Sequence, residues 1–482
     1  MPLLNEIPQL EILQQIAKQK KAKIFLIGGF LRDHLLKREC LDLDFAVEKN
    51  AIAVARIFAK KVKGAFVLLD QEHGCARVVT AKSGQTGDAI RTFDFADFRA
   101  PGLKGDLLHR DFTINTFCLD LGKLEASMVI ADGIMDLRNG KKDLKAKTIR
   151  MNSAKAFKED PLRLLRAFSL RAQLGFKIEP KTLQQIKRDT PLIREVSFER
   201  IRDEVFKILA SPRAAENLKA MDKIELLAQI MPQITVMYGV KQGGYHHLDV
   251  WPHSFEVVNQ FEKVLEEFKN DPEILSYMQE TLGGDRPRFA LVKLAALLHD
   301  IGKPETRKKE DGRVSFHGHE HVGKNITRPL AKALKLSTNE RFALENMVLW
   351  HLRPGYLSNF KKPSERSIFR YFRSTKEEAV SILLLSLADQ RATRGPLTTQ
   401  ADQAHHEKIC LNLVRRYFVQ KNEKPLVRFL TGHDLIKGLK LKPSPIFTKI
   451  LTAVEEQQAI GKVTTREQAL DLAKEIVKKE KI

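Results

Sequence analysis

Two aspartates one residue apart, Asp42 and Asp44, lie in the run Leu41–Val47, LDLDFAV. Side chains alternate faces along a strand, so Leu41, Leu43, Phe45 and Val47 share one face and the two carboxylates share the other. Asp is depleted from strands, and like charges on one face repel. The pair suits either a solvated edge strand or a divalent cation such as Mg²⁺, a hard ion that takes carboxylate and phosphate oxygens. Asp94 lies on a second alternating run, Thr92–Arg99, on a face with Ala96 and Phe98, while Asp97 points the other way. A third carboxylate beside the first two would complete a two-metal site.

Cationic and polar groups follow. In Leu108–Asn115, Arg110 offers a planar fork suited to phosphate, and Asn115 can hydrogen-bond a sugar or backbone group. Arg110-Asp111 also reads as a surface ion pair. Glu159-Asp160-Pro161 opens a helix, with Pro161 suited to its first position and the acids near the positive end of the dipole. Asp160, Arg163 and Arg166 recur at spacings of three and predict one polar ridge, with Leu162, Leu165 and Phe168 facing inward. Such a ridge suits the hydrogen-bonding edge of a nucleotide base, or simply helix capping with local ion pairs.

Histidines gather later, at His246, His247, His253, His299, His317, His319, His321 and His351. Adjacent His299-Asp300 follows the apolar run Leu291–Leu298 and precedes Ile301-Gly302-Lys303-Pro304. Neutral imidazole with carboxylate suits a catalytic divalent metal. His253, His319, His351 and Asp389, on separate helical stretches, bring the available ligands to six.

These groups need a scaffold. Residues 5–20 predict a helix, and strands over 24–30 and 41–47 flank Gly28-Gly29. Ala51–Val62 predicts a helix closed by Gly64, Phe66–Leu69 and Ala76–Val79 predict short strands, and Pro101–Leu107 predicts a mobile loop. Strands mixed with helices over the first 150 residues indicate an α/β or α+β domain. From Ser153 onward helical periodicity dominates, broken near Pro180, Pro191, Pro212, Gly243-Gly244, Gly283-Gly284 and Gly395-Pro396.

A chain of 482 residues accommodates several domains. Its formal net charge of +22 predicts a polyanionic partner, nucleic acid or an anionic membrane. The sequence shows no apolar membrane span, signal-peptide core, lipidation motif or amphipathic anchor, which favours nucleic acid. The 4 cysteines lack CxxC spacing, arguing against a disulfide scaffold or thiolate zinc site and suiting a cytoplasmic location.

GGFLRD (28–33), DLDFAV (42–47), HRDFTIN (109–115), EDPLRLLRA (159–167) and SFERIRDEVFKIL (197–209) resemble, in order, the motifs of bacterial tRNA nucleotidyltransferases and poly(A) polymerases. These form the class II, CCA-adding branch of the DNA polymerase beta-like nucleotidyltransferases. The resemblance implies an α+β fold: a nucleotidyltransferase head with a mixed sheet (1–150), a helical neck (151–240), an HD domain (241–410) and a helical tail (411–482). It implies that Asp42 and Asp44 hold Mg²⁺, with Asp94 assisting, and that Gly28, Gly29 and Arg32 meet the triphosphate. Arg110, with Asp111 and Asn115 in its motif, would bind nucleotide, and Asp160, Arg163 and Arg166 would read the base. Two positions depart from the family pattern. Ser169 stands where a further Arg is common, and His109 where Arg is usual. The first leaves open whether CCA, CC or A is added.

HHLDVWPHS (246–254), LLHDIGK (297–303) and FHGHEHVG (316–323) resemble HD-superfamily metal phosphohydrolases. The resemblance implies His253, His299, Asp300, His319, His351 and Asp389 as ligands of a divalent metal (Mn, Ni, Mg, Co or Fe), with His319 preferred over His321. It implies hydrolysis of phosphate or cyclic phosphate esters. LTGHDLIKGLKLKPSP (430–445) resembles the family's tail, whose lysines would track RNA backbone. The expected partners are a tRNA 3′ end, CTP and ATP, and no membrane. A poly(A) polymerase, or an HD phosphohydrolase with an RNA-binding head, is the alternative. The sequence does not specify an oligomeric state.

Overall fold

The structure, a computed structural model, describes residues 7–80, 91–123, 130–310, 313–423 and 427–480. It divides into two compact units, Met1–Glu204 with Ile224–Ile230, and Val205–Lys223 with Met231–Ile482.

The first unit opens with α1 (Pro8–Lys20), β1 (Ile24–Ile27), α2 (Gly29–Leu35), β2 (Asp42–Val47), α3 (Ala51–Val62), β3 (Ala65–Asp70), β4 (Cys75–Val79), β5 (Thr92–Asp97), α4 (Gly102–Leu108) and β6 (Cys118–Asp120). Residues 5 and 6 of the expected first helix lie outside the described residues. The strands form a six-stranded sheet in the order β3-β4-β5-β2-β1-β6. β2 and β5 run parallel, pairing Asp44 with Asp94, while β1 pairs antiparallel with β2 and β4 with β5. Under one face, Leu10, Leu13 and Ile16 of α1 and Val54 and Phe58 of α3 pack with Leu43, Phe45, Phe93 and Phe95. Phe45 stacks on Phe95 with ring centroids 5.0 Å apart. Burying each such ring contributes on the order of 2–3 kcal/mol, and it commits the alternate residues, Asp42, Asp44 and Asp94, to the opposite face.

Two sequence expectations are corrected here. The strand expected over 24–30 ends at Ile27, because Gly28 adopts φ +81° and the chain turns directly into α2. A left-handed residue interrupts a strand, and glycine adopts that conformation without steric cost. The segment 101–107, expected as a loop, is helical in α4. Leu103 and Leu107, one turn apart, pack on Phe25, Ile27 and Phe98, and that buried apolar stripe outweighs the two glycines. Asp97 turns away from its neighbours as expected, and its Oδ1 accepts from the Ala51 amide at the start of α3 at 2.7 Å, where an anion is favoured.

The unit continues through α5 (Gly140–Lys145), a short parallel pair β7 (Thr148–Ile149) and β8 (Lys177–Ile178), α6 (Ala156–Glu159), α7 (Leu162–Leu174), α8 (Pro180–Asp189) and the start of α9 (Phe198–Leu209), whose residues from Val205 on belong to the second unit. Gly175, at φ +69°, ends α7.

Among the described residues the second unit is helical apart from two small hairpins. It contains α10 (Ala214–Asp222); α11 (Leu226–Ile230) belongs to the first unit. There follow α12 (Val250–Glu267), α13 (Pro272–Gln279), α14 (Arg288–Leu298), α15 (Lys303–Thr306), α16 (His319–Ala333), α17 (Thr338–Trp350), α18 (Arg353–Ser358), α19 (Glu365–Thr375), α20 (Ala379–Ala392) and α21 (Gln400–Asn422). α20 is buried on every side over Ala379–Ala388, as a helix apolar all round must be, and it packs against α12 and α14. A capping box, Ser337 with Glu340, starts α17. The tail forms α22 (Gly432–Leu439), α23 (Ile446–Ala459) and α24 (Arg466–Lys479), with a core of its own around Leu435, Ile450, Val454 and Ala469.

Candidate active sites

On the open face of the head sheet, register brings Asp44 and Asp94 side by side, with Asp42 two residues along. Arg77 of β4 lies opposite Asp94 and donates Nε and Nη2 to its two oxygens, each at 2.7 Å. Asp94 is thus already paired, and Asp42 and Asp44 carry the charge that remains to be balanced. Burial pushes the Asp44 carboxyl up to about 6; Arg110 and Arg166 pull it down, and Asp94 and Asp42 push it further up. A β-carbon on Gly28 would lie 3.3 Å from Asp44 Oδ2, so the bare glycine borders the carboxylate. Carboxylates crowded on one face, with Asp44 held there at the cost of its own ionisation, are a fit for a divalent cation.

Behind this face runs a chain of buried hydrogen bonds linking residues from separate motifs. Arg32 donates Nε and Nη2 to Asp33 at 3.0 and 2.7 Å and Nη1 to Asn115 Oδ1 at 2.7 Å. Asn115 Nδ2 donates to Asp111 Oδ1 at 3.0 Å, which also accepts from the Phe112 amide at 2.8 Å. Arg166 Nε donates to Asp111 Oδ2 at 3.0 Å, and its Nη1 lies 3.8 Å from Glu204. The Ser169 hydroxyl donates to Glu204, with the Arg166 carbonyl as a second acceptor within reach at 3.2 Å. The position that departs from the family pattern therefore anchors the carboxylate beside Arg166.

Asp160, Arg163 and Arg166 do not form one outward ridge. Arg163 is 4% exposed, and it donates to the carbonyls of Ala156 at 3.1 Å and His109 at 2.7 Å. Asp160 accepts from the Leu162 amide at 3.2 Å and from Arg200 at 2.9 Å. It lines a cleft of about 870 Å³ with His109, Glu159, Arg99 and Arg200. Nor is Arg110-Asp111 an ion pair: Arg110 donates to buried Asp106 at 3.2 Å, while Asp111 faces Arg166. Sequence reasoning missed Arg77, Glu204 and Arg200. Glu204 and Arg200 stand inside the motif 197–209, whereas Arg77 needs strand register to be found.

In the second unit, α12, the end of α14, α16, the end of α17 and α20 bring His253, His299, Asp300, His319, His351 and Asp389 together. His253 Nε2 lies 2.9 Å from Asp389 Oδ1, and His299 Nε2 lies 3.1 Å from Asp300 and 3.8 Å from Asp389. His319 Nε2 lies 3.2 Å from Asp300 Oδ1 and 3.2 Å from His351 Nε2. His321 is 71% exposed along its side chain and stands apart, consistent with the preference for His319. His246, absent from the expected ligand set, joins His253 and Asp389.

His299, His319 and His351 each place Nδ1 on the carbonyl three residues earlier, Ala296, Phe316 and Val348, at 2.8, 2.8 and 2.7 Å. A carbonyl only accepts, so each Nδ1 carries a proton, and Nε2 is the ring atom turned towards the cluster. Nε2 of His319 thus lies beside Nε2 of His351 and a carboxylate oxygen of Asp300, a set of nitrogen and oxygen atoms suited to a divalent cation. Burial, with His319 and His299 nearby, pushes His351 down to about 3, so its ring stays neutral. Lys303 donates to Asp300 Oδ2 and to Gln242, both at 2.6 Å.

The stretches of chain that carry the acidic sheet face and the buried His/Asp cluster match known family models. The Poly A polymerase head domain matches residues 24–150, the Probable RNA and SrmB-binding site of polymerase A matches 175–237, and the HD domain matches 250–394. An A-adding tRNA nucleotidyltransferase of Deinococcus radiodurans is 31% identical over 454 residues, 92% of this chain and 93% of that protein. A CC-adding tRNA nucleotidyltransferase of Thermus thermophilus is 29% identical over 457 residues, 92% of each. A solved CCA-adding enzyme in complex with ATP shares the fold at TM-score 0.64 and 19% identity, over 99% of this chain and 95% of that one. The chain belongs to the tRNA nucleotidyltransferase family. Among the described residues no helix is long and apolar enough to cross a membrane.

Proposed function

We propose that this protein extends tRNA 3′ ends without a template, adding CCA or its CC or A part from CTP and ATP. The observation that carries this reading is the in-register Asp44–Asp94 pair with Asp42 on one open sheet face, in a chain aligned with tRNA nucleotidyltransferases over nearly its whole length. In the reaction the tRNA 3′-hydroxyl attacks the nucleotide α-phosphate and pyrophosphate leaves. Asp42 and Asp44, with Asp94 assisting, would hold Mg²⁺, which would supply Lewis-acid neutralisation of the phosphates. Gly28 and Gly29 give the triphosphate close approach to the backbone, and Arg110 meets phosphate or sugar. Asp160 and Arg166 present their polar edges to the base, while Arg32, Asp111, Asn115 and Arg163 hold that surface in place. Arg200 must yield its bond to Asp160 when a base takes it.

The His/Asp cluster of His253, His299, Asp300, His319, His351 and Asp389 holds a divalent ion (Mn, Ni, Mg, Co or Fe) and serves hydrolysis of phosphate or cyclic phosphate esters. Head (1–150), neck (151–240), HD domain (241–410) and tail (411–482) form the working division of the chain, and a cytoplasmic location fits the proposed nucleotide and tRNA substrates. Offering purified protein tRNAs that end before CCA, after C, or after CC, with labelled CTP or ATP separately, tests the reading. Ordered incorporation of both bases supports CCA addition, and incorporation of one base supports a CC or A specialist. A long A tract favours poly(A) synthesis. No incorporation beside metal-dependent phosphatase activity refutes the transferase reading.

A further inference from the structure

The His/Asp cluster does not end at the ligands expected from the sequence. One ligand atom each from His246, His253 and Asp389 lie within 4.8 Å of one another, and the His246 ring stands edge-on to that of His253, centroids 4.8 Å apart. His253 is fully buried, and its Nδ1 has no hydrogen-bond partner among the described residues. It thus differs from His299, His319 and His351, whose Nδ1 atoms are each spent on a carbonyl. A buried ring nitrogen without a partner is costly unless something else satisfies it.

His246 is not on a helix, yet its loop is pinned. Gly395 donates its amide to the Tyr245 carbonyl at 2.8 Å, Leu397 donates to Gly244 at 3.2 Å, and the Thr398 hydroxyl donates to Tyr245 at 3.1 Å. These donors follow directly on α20, the helix that carries Asp389. On the other side of the loop, Gln242 donates Nε2 to the Leu248 carbonyl at 3.1 Å and accepts from Lys303 at 2.6 Å. The contact needs a glycine: a β-carbon on Gly395 would fall 2.3 Å from the Gly244 carbonyl oxygen. The fold holds the His246 loop against the segment after Asp389.

We propose that His246 is a ligand of a first-row divalent transition-metal ion on the Asp389 side of the cluster, beside His253 and Asp389. This rests on the reading that the cluster binds divalent metal. A further imidazole biases that position towards ions that take nitrogen ligands, Ni²⁺ and Co²⁺ most strongly and Mn²⁺ more weakly, over Mg²⁺.

The test is Mn²⁺ binding to the full-length chain, stripped with chelator and followed by calorimetry and by Mn²⁺ paramagnetic resonance. His246→Ala is expected to lose one Mn²⁺ equivalent, or to bind one at least tenfold more weakly, with weaker preference for Mn²⁺ over competing Mg²⁺. Gly395→Ala, which keeps the histidine but displaces its loop, is expected to show the same loss. His321→Ala, altering an exposed histidine, binds as wild type. Melting in chelator checks that each variant is folded, and Gly395→Ala decides the matter should His246→Ala not fold. Wild-type protein that binds no Mn²⁺ overturns the metal reading of the whole cluster. Wild-type binding by folded His246→Ala, or by Gly395→Ala where His246→Ala does not fold, or a loss equally present in His321→Ala, overturns the role of His246 alone.

Discussion

Replacing Asp111 with Asn probes whether the buried chain of hydrogen bonds positions the base-facing arginine. Every group around the Asp111 carboxylate is a donor. The Phe112 amide and Asn115 Nδ2 reach Oδ1 at 2.8 and 3.0 Å, and Arg166 reaches Oδ2 at 3.0 Å. An amide offers one accepting oxygen and one donating nitrogen, so Asp111→Asn satisfies one side and sets donor against donor on the other. The favoured flip keeps the oxygen towards Phe112 and Asn115, and the side facing Arg166 loses a charge-assisted interaction worth about 1.5–3 kcal/mol. Opposing donors bring the total to about 3 kcal/mol, below the roughly 3–5 kcal/mol for breaking a fully buried pair, because Arg166 is only partly buried. For a unit of this size that is a melting decrease of about 6–12 °C. If the loss falls wholly on the positioning of Arg166, kcat/KM for CTP or ATP drops about 100-fold.

The pH dependence supplies a second check. Burial alone would raise the Asp111 carboxyl, but the Arg166 charge and the bonds from Asn115 and Phe112 hold it below the ordinary carboxylate value of 3.8. A depressed carboxylate stabilises the fold fully above its unfolded pKa and loses that contribution as pH falls through the folded one. The deficit of the variant is therefore constant near neutrality and shrinks below about pH 4. Melting curves across pH and steady-state incorporation with each nucleotide measure both. A variant that melts with wild type at pH 7 and selects nucleotides unchanged would refute the positioning argument.

Asp42→Ala and Asp44→Ala each abolish nucleotide incorporation in the labelled-nucleotide assay while leaving the far-UV spectrum intact; retained incorporation would remove the acidic face from the reaction. His299→Ala abolishes metal-dependent hydrolysis of phosphate esters and retains nucleotide addition, measured on one preparation. Buried His406, between Ser386 and Cys410, is pushed by burial down to about 4 from 6.5. Its neutral form stabilises the fold fully above pH 6.5 and loses that contribution as pH falls towards 4, on the order of 3 kcal/mol. His406→Leu is expected to flatten this part of the profile of melting temperature against pH, and an unchanged slope would rule the residue out.

Much of the head was legible because its signals are local. The alternation in LDLDFAV placed Asp42 and Asp44 on one face whatever the partner strands, and Asp97 pointed away from Asp94 for the same reason. The resemblance to HD-superfamily phosphohydrolases pointed to His253, His299, Asp300, His319, His351 and Asp389, residues that the helices do bring together. The helix at 102–108 was not legible, because its two glycines oppose it and only the pocket offered by Phe25, Ile27 and Phe98 makes it pay.

The sequence by itself determined which residues carry charge and which face of each element they share, since both follow from residue type and from backbone periods of 2 and 3.6. Tertiary structure decided which of those groups remain available. Arg163 has the same side chain and helical spacing as Arg166, yet the carbonyls of Ala156 and His109 take up its donors. Asp94 carries the same charge as Asp42, yet Arg77 balances it through a strand register no local pattern contains. His246 enters the cluster by way of a glycine far along the chain. A hydrogen bond is settled by where the partner's backbone lies, and that position exists only once the chain has folded.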